Sequence, residues 1–209
     1  MAEDDGVYNE SERVTVLGMC WGEGDTLGYQ REIKWDGCET KRSTLSYTNA
    51  MFDPLNLLVP IAVMCRGFLR VLWSLKLSWD QSFPKETELS ERFSYLRKQV
   101  DRCLELQIPA SVVVYPNTEI YVFGDASKSA YGAVLYLVTP PCDKCDKGEV
   151  KLLMAKVKLI PPIKSQNPKE DTIPRWELAS LVLAGHLVHF VMKDMEELAH
   201  CPVYIWGGQ

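Results

Sequence analysis

Hydrophobic and polar positions change their period twice along this chain. Over residues 13–21, Val14 and Val16 alternate with polar or small neighbours, the period-two pattern of a strand. Gly22-Glu23-Gly24-Asp25 reads as a turn, and 27–35 as a second strand closing a hairpin. From Thr40 the period becomes helical. A short helix over 44–52 stops at Asp53-Pro54, because a residue before proline is pushed out of the α region. A long helix is predicted over 60–79, with Ile61, Met64, Phe68, Val71, Leu72 and Leu75 as its apolar stripe. A third spans 88–106 on Leu89, Phe93, Leu96, Val100, Cys103 and Leu104, and Ile108-Pro109 ends it. After Asn117 period two returns. Strands over 119–125, 130–138 and 150–159 make an antiparallel meander. A polar loop over 161–172 leads to a helix over 174–193, with Pro174 in its first turn, and then to a strand over 202–206. A strand that follows a helix after a meander predicts an α/β domain with a mixed sheet, α+β for the chain as a whole. The expected organisation is a disordered tail over 1–12, a hairpin-plus-helices region over 13–107 and a sheet domain over 118–209. The boundary lies near 107–117, where Pro109, Pro116 and Asn117 cluster.

Composition narrows the class. The 209 residues are 46% hydrophobic and 24% charged, enough apolar mass for a core, so disorder is excluded as the main state. Net charge is −5 and unevenly spread: residues 1–40 carry ten acidic and three basic side chains, residues 41–110 seven and ten. No strongly basic nucleic-acid footprint covers the whole chain. The apolar stretch 55–71 contains Asn56, Pro60, Arg66 and Arg70, and the stretch 178–192 is shorter than the ~20 residues a membrane span needs. No membrane association is expected. The acidic start Met1-Ala2-Glu3-Asp4-Asp5 is unlike a signal peptide. Seven cysteines are too few and too irregular for a disulfide scaffold. The expected location is the cytoplasm or the nucleus, not the secretory route.

Two carboxylates stand out by position. Asp125 ends the apolar run Ile120-Tyr121-Val122-Phe123-Gly124, which reads as a central strand buried on both faces. The end of a central strand is where open sheets hold ligands. Glu177 heads a helical stripe whose later members are Leu181, Ala184, Val188 and Val191. An ionised carboxylate in such a stripe is costly unless it is paired or bound to metal. One reading is a first-turn Glu favoured by the helix dipole. The other is a ligand, with Asp125, for Mg²⁺, a cation that prefers carboxylate oxygen and water. Two such ions can drive phosphodiester hydrolysis, which needs three or four carboxylates. Other signals carry less. Cys142 and Cys145 are half of a zinc site and lack a matching second pair among His186, His189, His200 and Cys201. His186 and His189 read as packing or surface. Trp73 and Trp79 read as core or interhelical packing rather than base-stacking platforms.

Several motifs resemble a known family. Phe123-Gly124-Asp125-Ala126-Ser127-Lys128-Ser129-Ala130-Tyr131-Gly132-Ala133 resembles the first-strand motif of a ribonuclease H domain, F-x-D-A-S-x-x-A-Y-G-A. Ile173-Pro174-Arg175-Trp176-Glu177-Leu178 is similar to the I-P-R-x-E-L that opens its first helix. Upstream, Val16-Leu17-Gly18-Met19-Cys20-Trp21, Thr40-Lys41-Arg42, Phe52-Asp53-Pro54-Leu55-Asn56-Leu57-Leu58-Val59-Pro60, Trp79-Asp80 and Ile108-Pro109 resemble the V-L-G-x-x-W, T-K-R, F-D-P-L-G-L-x-x-P and later markers of the polymerase connection. Over 13–206 the chain thus resembles the pol polyprotein of BEL/Pao-type retrotransposons, a region also classified as the Pao retrotransposon peptidase family. The resemblance implies a thumb- or connection-like region followed by a ribonuclease H-like domain. It implies Mg²⁺ or Mn²⁺ as cofactor, an RNA–DNA hybrid as partner, and an upstream polymerase domain in the parent polyprotein. It places the first metal ligand on Asp125 and the second on Glu177, as catalytic residues. The third, an Asp in W-T-D-S, falls on Gly208 of Trp206-Gly207-Gly208-Gln209. In the family a fourth carboxylate, a fifth strand and further helices follow.

Three functions are therefore expected in turn. The first is a pol fragment with an incomplete ribonuclease H-like domain, whose parent hydrolyses RNA in hybrids during reverse transcription, and which is inactive alone. The second is a domesticated, non-catalytic interaction module using an exposed sheet edge. The third is an aspartic peptidase built on Asp125 in a dimer, although no Asp-Thr-Gly or Asp-Ser-Gly is present.

Overall fold

The computed structural model describes residues 14–16, 19–22, 24–29, 33, 35, 37–51, 53–84, 87–141, 147–161 and 172–208. Expectations for 1–12, for Cys142 and Cys145, and for 162–171 fall outside the described residues. The elements are α+β, as the pattern predicts. Two compact units form: Met1–Phe52 with Leu75–Ser111, and Asp53–Ser74 with Val112–Gln209. The second unit thus takes in a piece of chain that a single linear boundary at 107–117 assigns to the first. Local periodicity says that a segment is helical and which face is apolar, but not which sheet it packs on.

In the first unit, strands β1 (Val14–Val16), β2 (Met19–Gly22), β3 (Thr26–Tyr29) and β4 (Gln107–Pro109) form an antiparallel sheet in that order. The single strand expected over 13–21 is two strands, with Val16 paired to Met19. Gly24 and Asp25 turn between β2 and β3 with φ of 70° and 57°, a region glycine enters freely and aspartate tolerates. Pro109 does not simply end a helix: Gln107 and Ile108 pair with Gly28 and Leu27.

Helix α1 runs Lys41–Ala50, three residues earlier than the apolar pattern predicts. The cause is a capping box, in which Thr40 and Ser43 each bond the other's backbone N–H. The motif residues of this unit meet here. The Arg42 guanidinium donates to both carboxylate oxygens of Asp80, at 2.6 and 3.0 Å, and lies 5.7 Å from the Trp79 ring centroid. That pair holds the Arg42 pKa above and the Asp80 pKa below their ordinary values. Trp79, and Trp73 likewise, are about half exposed; the interhelical packing expected of them is not what Trp79 does. Helix α3 (Glu88–Leu104) buries Phe93, Leu96, Val100 and Leu104, the predicted face. Phe93 meets Trp35, Tyr47 and Phe83 with centroids 5.1 to 6.4 Å apart. Tyr47 Oη donates to Asp101 at 2.7 Å.

In the second unit, Asp53 starts helix α2 (Val59–Ser74) by accepting from the Leu57 and Leu58 N–H groups at 2.9 and 2.7 Å. Asn56, where the resembling motif has glycine, sits at φ 54°. Asparagine is among the few residues that accept that region cheaply. The buried stripe of α2 is Ile61, Cys65, Phe68 and Leu72. Cys65 replaces Met64, which is 36% exposed. The helix stops at Ser74, whose hydroxyl turns back to the Val71 carbonyl, five residues short of Trp79. Helix α2 lies against the strand Glu149–Leu159, and the flanking chain also bonds that strand, the Ala155 N–H donating to Leu55 O at 3.4 Å.

The second sheet has the order β7 (Glu149–Leu159), β6 (Ala130–Thr139), β5 (Glu119–Ala126), β8 (Val203–Gly207). The first three are the predicted meander, and β8 joins β5 in parallel, Ile120 beside Val203. Helix α4 (Ile173–Asp194) and a 3-10 turn at Glu196–Leu198 supply the crossover. Ile120, Val122, Ala133, Leu135 and Leu137 pack with Leu183, Ala184, Leu187 and Val191 of α4 in one core. Strand β5 is central, but it is covered by α4 on one face only. Phe123 is 44% exposed on the other, so the expectation of burial on both faces is corrected. Among the described residues no helix is long and apolar enough to cross a membrane.

Candidate active site

Asp125 is placed by a stapled hairpin. The Ser127 N–H donates to Ala130 O at 2.8 Å, and the Ser127 hydroxyl accepts from the Ser129 and Ala130 N–H groups at 3.2 Å each. The sequence A-S-x-x-A is therefore a turn whose serine closes it from inside, a role short hydroxyl side chains fill well. It sets β5 against β6 so that Asp125 faces Gly132 across the ladder. Asp125 is exposed, and its Oδ1 accepts from the Ala126 N–H at 2.8 Å. On the sheet face away from α4 it borders an apolar cleft of about 450 Å³, with Phe123, Tyr136, Leu57 and Pro60 on its walls.

Glu177 is placed by α4. Pro174 lies in the first turn, where the missing N–H costs nothing. The buried stripe of the helix begins at Ser180 and runs through Leu183, Ala184, Leu187 and Val191. Leu181 is 36% exposed and Val188 half-buried, so the stripe is rotated from the one expected. Glu177 lies at its edge, half-buried.

The helix reaches the strand through one close approach. A Cβ built on Gly124 would stand 3.0 Å from the Ser180 carbonyl oxygen and 3.1 Å from its hydroxyl. A side chain at this position would require the Ser180 backbone to give by a few tenths of an ångström, so glycine suits the approach. The Ser180 hydroxyl donates to Glu177 O at 2.7 Å. Glu177 and Asp125 thus sit on either side of the Gly124–Ser180 contact, one helical turn and one strand residue from it. No hydrogen bond links the two carboxylates.

Gly208 completes the picture. Its N–H donates to Gly124 O at 2.9 Å, continuing the ladder of β8 past Gly207. A Cβ built there would run into Asp125 Oδ1 and come within 3.2 Å of Asp125 Cγ. The backbone of residue 208 therefore borders the Asp125 carboxylate.

These residues are a poor fit for a pair of divalent ions. Two carboxylates on separate elements offer too few oxygens to hold two ions and orient a water between them. Among the described residues no group of three or more His, Cys, Asp or Glu side chains converges for a metal. His186 and His189 are both exposed on α4.

With this geometry in view, residues 40–208 match the family described as Pao retrotransposon-like RNaseH-like domain. The chain belongs to that family. No curated protein matches it. Among solved structures, a foamy viral protease-reverse transcriptase dRH in complex with double-stranded DNA is similar at 13% identity and a TM-score of 0.46, over 92% of this chain and 30% of that one. A foamy viral protease-reverse transcriptase in complex with double-stranded DNA is similar at 12% identity and a TM-score of 0.42, over 92% and 36%. This Pao-type chain thus spans about a third of the length of those structures.

Asp125 and Glu177 stand on β5 and α4, the elements the sequence predicts for them. The Gly124–Ser180 contact between them was not expected, although a glycine in an apolar strand marks close approach.

Proposed function

We infer that this chain is the ribonuclease H-like part of a retrotransposon pol protein, and that it holds the RNA–DNA hybrid of reverse transcription without cleaving it. Family membership supports the parent role, hydrolysis of the RNA strand of a hybrid by a carboxylate site. The observation that carries the second half is Gly208. The position that borders Asp125, where the family motif supplies a third carboxylate, has no side chain. Asp125 and Glu177 remain as the catalytic pair of the parent site, and Mg²⁺ or Mn²⁺ as its cofactor class. Loss of the third of the family's four carboxylates takes away both charge and geometry, so divalent-ion binding is weak and no hydrolytic step is assigned to this chain.

The test is incubation of the 209-residue protein with a labelled RNA–DNA hybrid in 10 mM MgCl₂, and separately MnCl₂, with Asp125→Asn alongside. The expected result is an intact RNA strand in every lane. RNA cleavage by the unaltered protein that Asp125→Asn abolishes would overturn the reading.

A further inference from the structure

The sheet face away from α4 carries a trough beside its carboxylate, and the strand register builds it. Phe123, Val134 and Ala155 form one row across β5, β6 and β7. Asp125 pairs with Gly132 in the row nearer the end of β5, and Tyr136 pairs with Leu152 on the other side. The middle of the floor is low, because valine and alanine are small there and Gly132 has no side chain. The Phe123 and Tyr136 rings stand beside it with centroids 6.2 Å apart and planes at 71°. Leu57 and Pro60, at the start of α2, form the opposite lip. All of these residues belong to one compact unit. Together they enclose the cleft of about 450 Å³ that Asp125 borders.

The lining selects the occupant. Besides Asp125, the charged residue among the described lining is Lys156. It pairs with Ala133, which is buried against α4, so strand alternation sends its side chain to the α4 side and leaves its backbone at the cleft. The trough is therefore apolar along its length and negative at one end. A carboxylate has about four acceptor positions, and the Ala126 N–H takes one. Asp125 is exposed, so an ammonium can reach it and keep part of its water. Aromatic ring faces attract cations as well. An anion, a phosphate included, is repelled from that end, and a neutral apolar body leaves the carboxylate unused. The volume falls in the range of small-molecule sites.

We propose that this cleft is a binding site for a small organic cation with a flat apolar body, an arylalkylamine in chemical class. Its ring lies on Val134 and Ala155, between Phe123 and the Leu57–Pro60 lip, and its ammonium pairs with Asp125. The site goes beyond the hybrid-holding role, does not depend on it and requires no metal.

The test is a titration of the 209-residue protein at pH 7 in EDTA, followed through the backbone amide resonances of Gly132, Val134 and Leu152. The probes are tryptamine, its neutral analogue 3-ethylindole and the anion indole-3-acetate. Tryptamine should bind with a Kd of about 1 mM or tighter. The neutral analogue should bind about threefold more weakly, the worth of one exposed ion pair, and the anion more weakly still. Asp125→Asn should bring tryptamine down to the affinity of 3-ethylindole and leave 3-ethylindole unchanged. Val134→Phe, which fills the trough, should abolish measurable binding of both, with a thermal melt to check its fold. Should that variant not fold, Asp125→Asn at an exposed position carries the test. Equal affinity of the three probes for the unaltered protein would overturn the proposal, as would tryptamine binding that survives Val134→Phe in a folded variant, or no shift at these amides. Agmatine binding as tightly as tryptamine would overturn it too, because the cleft would then read charge alone. Loss of tryptamine binding as protein concentration rises, with a dimer in sedimentation, would give the trough to a second copy and overturn it likewise. RNA cleavage in the magnesium assay would sink the inactivity reading and leave this site in place.

Discussion

Gly208→Asp is the substitution that interrogates the carboxylate site most directly. The new Cβ meets Asp125 Oδ1, so Asp125 must rotate and give up the Ala126 N–H it now accepts from at 2.8 Å. A net intramolecular hydrogen bond contributes about 1 kcal/mol. The new carboxylate then sits about 4 Å from the old one, and two like charges at that separation repel by about 1 kcal/mol in a water-like medium. Asp125 is exposed, so the water-like value applies rather than an interior one. Without divalent ions the variant should therefore lose about 2 kcal/mol at neutral pH. For a protein of this size that is roughly 4–8 °C in Tm. The repulsive half has a definite pH sign. Like charge raises the folded-state pKa of the pair above the unfolded values, so the penalty is full above that pKa and vanishes as pH falls through it. Magnesium should reverse the loss. At a free concentration ten times Kd the linkage recovers about 1.4 kcal/mol. The assay is a thermal melt at pH 7 and pH 3.5 in EDTA, and at pH 7 in 10 mM MgCl₂. A variant that melts with the unaltered protein in EDTA and ignores magnesium would refute the placement of residue 208 beside Asp125.

Two further outcomes follow from packing and titration. Gly124→Ala should destabilise by about 1–2 kcal/mol, since its Cβ meets the Ser180 backbone, which cannot swing aside. Gly185→Ala in the same helix should instead stabilise by about 0.8 kcal/mol, because nothing lies within 4 Å of its Cβ and alanine favours the helix; urea melts of the two variants would expose any failure of this opposition in sign. Tyr47→Phe should cost about 1–2 kcal/mol through the lost 2.7 Å bond to Asp101. Burial and that bond raise the Tyr47 pKa, so the folded state keeps the phenolic proton that the unfolded chain releases near pH 10, and stability falls as pH rises beyond it. The variant should show a flatter alkaline limb in a pH series of melts, and an equally steep one would remove Tyr47 as its source.

Much of the second sheet was legible because its signals are local. Strands β5 and β6 alternate over eight and ten residues, and α4 keeps helical spacing with proline at its start. The first sheet was less so. A three-residue strand such as β1 or β4 has too few positions to show a period. The α2 stripe was phased correctly at Ile61, Phe68 and Leu72 but took Met64 in place of Cys65, because both are apolar and only packing decides between them. At the site, Asp125 was readable as a charge ending an apolar strand. Glu177 was readable as a charge in an apolar stripe, but the true stripe starts one turn later at Ser180. Gly208 was visible only through the resemblance, since nothing in its own window marks it as standing where a carboxylate is expected.

The second unit is assembled from two stretches of chain, Asp53–Ser74 and Val112 onward, with Leu75–Ser111 passing through the other unit between them. A recombination that carried only the distal stretch to a new gene would leave behind the Leu55 carbonyl that caps Ala155 and the Arg66 side chain that reaches the Val157 carbonyl at 3.5 Å. The transferred β7 would arrive with those backbone groups unmet. One crossover near residue 112 carries all four strands of this sheet but not the α2 stretch that packs on it, so the unit does not move whole. The family match, which begins at residue 40 rather than at 112, covers both stretches and the loop of chain that threads between them.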